Sequence, residues 1–182
     1  MTDLSAHPKP AAMTKDKSNI VLIGMPGSGK STIGIILAKM TARNFIDTDI
    51  LIQLQEGRSL QNIVDTDGHM ALRKVEEEVL LSVNCRNHVI ATGGSAAYSH
   101  TAMSHLRENG IVVFLHATMD TLKARIRNFA TRGLAKRPDQ SFADLFDERL
   151  AIYLRYADIT IPSDTLTQED ICTKILKELG KH

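Results

Sequence analysis

The sequence has no apolar run near the ~20 residues that a membrane-spanning helix needs, and residues 1–18 lack the apolar stretch of a secretory signal. Those absences leave a cytoplasmic protein as the expectation. Neither sign of charge is in excess, with 22 Lys and Arg against 21 Asp and Glu. No broad positive field exists to draw the chain to nucleic acid or to an anionic membrane, so phosphate recognition has to be local. Cysteine is scarce. Cys85 and Cys172 lie far apart and form no CxxC pair, a pattern of reduced thiols and not of a disulfide or zinc site. His69, His88, His100, His105 and His116 are scattered without metal-ligand spacing, so none is assigned a role. There is no internal repeat and no low-complexity tract.

What is present suits one globular domain: 182 residues, 43% of them hydrophobic. Residues 1–18, with Pro8, Pro10 and several polar side chains, read as a disordered leader ahead of a domain over 19–182. Short apolar runs at Ile20 to Ile23, Asn44 to Ile46, His88 to Ala91, Ile111 to Leu115 and Ile159 to Ile161 read as buried strands. Helical spacing fills Thr32 to Met40, Gly68 to Val83, Thr101 to Arg107, Met119 to Phe129, Ala143 to Arg155 and Gln168 to Leu179. This alternation predicts an α/β fold, a three-layer α/β/α arrangement around a central five-stranded parallel sheet with helices on both faces. Thr131 to Gln140, containing Gly133 and Pro138, breaks the pattern and is the expected mobile lid.

Gly24-Met25-Pro26-Gly27-Ser28-Gly29-Lys30-Ser31 matches G-x-x-x-x-G-K-[ST] between a predicted strand and a predicted helix. Backbone N–H groups of such a loop converge on phosphate oxygens, and the helix N-terminus adds its dipole. Lys30 would reach the outer phosphates and Ser31 would ligate Mg²⁺. Gly27, Ser28, Gly29, Lys30, Ser31 and Thr32 are therefore the expected ATP and magnesium residues.

The acceptor must be sought at the ends of the other strands. Asp47-Thr48-Asp49 closes the second strand, and two readings stay open there. Asp47 orients magnesium, through water, while Asp49 takes a hydrogen bond from the attacking hydroxyl, or both simply cap the next helix. Arg73, with Glu76 one turn later, either grips a substrate carboxylate or forms a surface pair. Gly93-Gly94 closes the third strand, either as a close approach to ligand or as a plain turn.

Taken in order, GMPGSGKST, FIDTD, Arg73 with Glu76, Gly93-Gly94, a lid arginine, and Arg149 followed by Tyr153 and Ala157 resemble the shikimate kinase family from Asn19 to Leu179. The resemblance implies ATP-dependent, magnesium-requiring phosphorylation of a small carboxylated acceptor in aromatic amino acid biosynthesis. It implies that Asp49 holds the acceptor hydroxyl, that Arg73 and Arg149 hold its carboxylate, and that Arg132 meets the phosphates. Catalytic roles then fall to Lys30, Asp49 and Arg132. Acceptor binding falls to Asp49, Arg73, Gly93, Gly94 and Arg149, and metal binding to Ser31 and Asp47. The expected partner is a small molecule, not nucleic acid or membrane, and the expected assembly is a monomer or weak dimer.

Several acceptor positions depart from the family pattern. Leu72 and Val64 replace phenylalanines, His69 replaces a glutamate, Ser95 replaces the third glycine of the turn, and Gly133 replaces the lid proline. A wider cavity and a looser lid are the expectations. The alternatives are a kinase for a related hydroxy acid or polyol such as gluconate, and a nucleotide-binding regulatory module without acceptor chemistry.

Overall fold

The computed structural model describes residues 17–126 and 133–180. The chain runs β1 (Asn19–Ile23), α1 (Lys30–Thr41), β2 (Asn44–Asp47), α2 (Thr48–Glu56), α3 (Leu60–Asp67), α4 (His69–Ser82) and β3 (His88–Ala91). After a 3₁₀ turn at Ala96–Tyr98 come α5 (His100–Asn109), β4 (Gly110–His116), α6 (Met119–Arg125), α7 (Phe142–Tyr156), β5 (Ile159–Pro162) and α8 (Gln168–Leu179).

The five strands form one parallel sheet in the order β2-β3-β1-β4-β5. β1 is fully buried, as a central parallel strand covered on both faces must be. Its alternate residues feed two cores. Val21 and Ile23 join Ile90, Val112 and Phe114 under α4, α5 and α7, whereas Ile20 and Leu22 join Val89, Val113 and Leu115 under α1 and α8. A third, smaller core of Ile52, Ile63, Leu72, Val79 and Ala135 ties α2, α3 and α4 to the stretch after residue 132. It builds the acceptor side of the molecule.

Strands and helices fall within a few residues of expectation, with one omission. Beyond a single helix after Asp49, the region from 48 to 67 carried no expected element, and it forms both α2 and α3. Their clearest signals are caps: Asp47 and Ser59 accept from the N–H groups of Asp49 and Asn62, and Gly57 and Gly68 close the C-termini. With only nine and eight residues, each helix is too short for its apolar spacing to stand out over a long window of sequence. Most of the expected leader and the end of the expected helix to Phe129 lie outside the described residues. Ser18, at the leader's end, already accepts from Asn87 N–H through its hydroxyl and from Arg43 Nε through its carbonyl.

Candidate active site

β1 ends between β3 and β4 and delivers the chain into the loop from Gly24 to Gly29. Gly27 stands at φ +83°, and a Cβ there would come within 2.6 Å of Ile126 Cγ1, so side chains other than hydrogen are excluded. Lys30, the first residue of α1, is buried and turns back over the loop, its Nζ donating to Gly24 O at 2.7 Å and Met25 O at 3.0 Å. Burial lowers its pKa to about 8, with Asp49 the strongest group pulling the other way. Ser28 Oγ is buried without a partner in the same turn. An amine held only by backbone carbonyls and an unpartnered hydroxyl, at a helix N-terminus, form a fitting seat for phosphate oxygens. Ser31 and Thr32, exposed in the first turn of α1, border the cavity in front of the loop.

That cavity has a volume of about 390 Å³ and joins the phosphate loop to the acceptor side, where Asp49, Leu72, Glu76, Gly94, Ser95 and Arg149 face it. Asp47 caps α2, its Oδ1 accepting from Asp49 N–H at 3.0 Å, which leaves its second oxygen for other partners. Burial pushes the Asp49 carboxyl up, against the pull of Lys30. Glu76 is buried, and its pKa rises to about 7, chiefly through desolvation and then through the neighbouring Asp49. Gly93 lies against both carboxylates. A Cβ on it would fall 2.1 Å from Glu76 Oε1 and 2.7 Å from Asp49 Oδ1. One on Gly94 would fall 2.8 Å from Arg149 Nη1 and from the Pro26 ring. The two glycines thus admit the side chains of the site to the end of β3.

Arg149, on α7, is 1% exposed and donates from Nη2 to Ala135 O at 2.9 Å. Arg73, on α4, makes a longer contact of 3.5 Å to the same carbonyl and lies over the Tyr98 ring, 3.6 Å from its centre. Arg149 stands 5.6 Å from that ring. The two guanidinium groups, 76 positions apart in sequence, thus meet at one carbonyl and one aromatic face. Their Nε atoms are both buried without partners. Arg73 faces a neighbouring cavity of about 370 Å³ behind Glu76 and Ser95, not the main cavity itself. Arg73 has no direct bond to Glu76, which is held by Ser95 Oγ.

Arg132 lies outside the described residues, as does Thr131 at the start of the expected lid. From residue 133 onward the chain is described, and Gly133 makes specific contacts there. Gly133 takes φ +61°, packs against Leu60, and donates its N–H to Gln61 Oε1 at 2.6 Å. A Cβ would fall 2.6 Å from the Leu60 backbone carbon. Proline, confined near −65° and lacking an N–H, could make neither arrangement. Glycine here fastens the segment to α3.

Three contributors carry no motif. Tyr98 supplies the aromatic face between the arginines and donates to Glu148. Arg125 borders the main cavity while donating to Ser163 O at 2.6 Å. Ser95, a departure from the family pattern, spends its hydroxyl on Glu76, a use with no local sequence signal.

Comparison with known proteins agrees with this geometry. The family model described as Shikimate kinase matches residues 26–180. A shikimate kinase from Sulfurihydrogenibium sp. strain YO3AOP1 is 36% identical over 164 residues, covering 90% of this chain and 98% of that one. One from Rippkaea orientalis is 39% identical over 165 residues, covering 88% and 87%. The solved structure of a shikimate kinase from Acinetobacter baumannii in complex with shikimate superposes with a TM-score of 0.84 at 29% identity, covering 92% of this chain and 95% of that one.

Proposed function

The chain belongs to the shikimate kinase family, and on that premise we propose that it transfers the γ-phosphate of ATP to a hydroxyl of shikimate, giving shikimate 3-phosphate and ADP. The observation that carries this reading is a single cavity in which Lys30 of the phosphate loop faces Asp49, Glu76 and Arg149 of the acceptor side.

Each residue has a task that follows from its setting. Arg149, which borders the main cavity, exchanges the Ala135 carbonyl for the acceptor carboxylate, and Arg73 joins it by turning from the neighbouring cavity, a carboxylate being a better partner for guanidinium groups than a neutral oxygen. Asp49 accepts a hydrogen bond from the hydroxyl to be phosphorylated and takes its proton as the new phosphorus–oxygen bond forms. The bond to the leaving oxygen of ADP breaks in the same event. Lys30, released from Gly24 and Met25, stays against the outer phosphates and compensates charge that builds on them. Alignment of two held reactants supplies much of the rate, because phosphoryl transfer needs little covalent help.

Ser31 at the cavity mouth and Asp47, with its uncommitted oxygen and acting through water, fit a hard divalent cation. Magnesium bound there would neutralise phosphate charge. The family resemblance adds Arg132 to the same task. A nucleotide-binding module without acceptor chemistry would have no use for Asp49, Glu76 and Arg149 gathered in one cleft. No helix among the described residues is long and apolar enough to cross a membrane. A cytoplasmic monomer or weak dimer acting on a small molecule completes the proposal.

The test is initial ADP release with shikimate, gluconate, other hydroxy acids and nucleoside monophosphates as acceptors. Shikimate should give the highest kcat/KM by a wide margin. Preferential turnover of an acceptor without a carboxylate would overturn the reading.

A further inference from the structure

Arg73 shares the neighbouring cavity with Glu76 and with Glu77, one helical turn along α4. It pairs with neither, and among the described residues neither Arg73 nor Arg149 makes an ion pair with a carboxylate. The Arg73 guanidinium lies instead on the face of Tyr98, 3.6 Å from the ring centre. Its bond to Ala135 O is long, at 3.5 Å, so the ring is the firmer of the two contacts.

The ring is itself held in place. Tyr98 ends the 3₁₀ turn that follows Gly93-Gly94-Ser95, and its hydroxyl donates to Glu148, the residue before Arg149 on α7. Burial, and then the bond to Glu148, raise the phenol above its ordinary pKa, so the hydroxyl keeps its proton. Gln140 Nε2, at 2.7 Å, and Arg137 Nη1, at 3.4 Å, hold Glu148 from the other side. A phenol that donates to a carboxylate gains electron density, which strengthens the negative face that a cation meets.

An aromatic ring suits this place for a physical reason. Two guanidinium groups that converge without an anion repel each other, so something has to hold the second near the first. A carboxylate would do this by neutralising Arg73, and would then compete with the carboxylate of the substrate. The face of a ring attracts a cation without cancelling its charge or fixing its direction, which leaves Arg73 able to pivot on Tyr98 toward Arg149.

We propose that Tyr98 is a positioning residue for the acceptor: its ring keeps the Arg73 guanidinium beside Arg149, unneutralised, and is the surface on which it turns to the acceptor carboxylate. The inference rests on the proposed acceptor. It goes beyond that reading by assigning part of the preference for a carboxylated acceptor to a residue that acts through another.

Tyr98→Leu and Tyr98→Gln both remove the ring, so the outcome does not hang on one side chain being accommodated, and Tyr98→Phe keeps the ring while losing the hydroxyl. Steady-state kinetics with shikimate and with its neutral carboxamide read the effect. Removing the ring should raise the KM for shikimate about three- to tenfold, the size of a partly desolvated cation–π contact, while the KM for ATP stays within about twofold. The preference for shikimate over the carboxamide, as a ratio of kcat/KM values, should fall by the same factor, and general damage to the pocket would not move that ratio. Tyr98→Phe should recover most of the loss. In an Arg73→Ala background, removing the ring should change the shikimate KM by no more than about twofold, because no guanidinium is left for it to place. An unchanged shikimate KM in both ringless variants, an equal loss with the two acceptors, a Tyr98→Phe variant as impaired as Tyr98→Leu, or a full further loss in the Arg73→Ala background would overturn the inference. If wild type turns over no shikimate, the proposed function fails and this inference with it. If wild type is active and the ringless variants keep its acceptor preference, only the inference fails.

Discussion

Glu76→Gln replaces a buried carboxyl with an amide of the same shape, and its effect on stability should depend on pH in a calculable way. Burial, with Asp49 adding to it, lifts the Glu76 pKa from 4.5 to about 7 despite the opposing pull of Ser95, Arg149 and Lys30. Below pH 4.5 the group is neutral in folded and unfolded chains alike, so it carries no ionisation penalty. Between 4.5 and 7 the unfolded chain releases a proton that the folded chain keeps, and stability falls as pH rises. Above 7 both states are ionised and the penalty is complete, about 3 kcal/mol for a shift of this size. Glutamine never ionises, so the variant escapes that loss. Its stability relative to wild type should therefore grow from pH 5 to pH 8 by about 2.5 kcal/mol, whatever its offset at pH 5, because part of the penalty is already present at pH 5. Asp49 is raised in both proteins and largely cancels from the difference. Urea unfolding of both proteins at intervals between pH 5 and 8 measures this directly, and thermal midpoints should separate by roughly 2–4 °C per kcal/mol. A difference that stays constant or shrinks as pH rises would refute the reasoning. It would mean that Arg149 and Lys30 hold Glu76 ionised throughout.

Other expectations follow from single contacts. Lys30→Ala should lower phosphoryl transfer at least ~100-fold, measured as ADP release, because no other side chain of the loop carries a cation. Asp49→Asn should lower kcat by roughly 10²-fold or more with the KM for ATP little changed; an equal loss of nucleotide affinity would move Asp49 to the metal side. Gly133→Pro, although it restores the family residue, should lower the melting temperature by a few degrees, about 1–2 kcal/mol, since it removes the N–H bonded to Gln61 and cannot adopt φ +61°. An unchanged or raised melting temperature would show that the clasp on α3 contributes nothing.

The sheet and the phosphate loop were legible because each rests on local chemistry. Buried parallel strands read as continuous apolar runs, and the loop needs its glycines, lysine and serine at fixed spacing. The convergence of Arg73 and Arg149 came from family resemblance alone, since α4 and α7 meet only through tertiary packing. α2 and α3 were missed as a pair because nine and eight residues give too short a window for their apolar spacing to stand out, leaving the caps as the clearer signal. Gly133 shows a related limit. A glycine in isolation reads as freedom, whereas the neighbouring Gln61 and Leu60 turn its positive φ and its N–H into an attachment. Ser95 shows the same limit, since the partner that gives its hydroxyl a purpose is 19 positions away on another element.

The central claim is transfer from ATP to shikimate within one cavity, and phosphorus NMR of a mixture of protein, ATP, magnesium and shikimate tests it most directly. The account predicts loss of the γ-phosphate signal, matched one for one by a new phosphate monoester and by ADP. Release of inorganic phosphate without a monoester, or ATP left intact while shikimate is present, would contradict it.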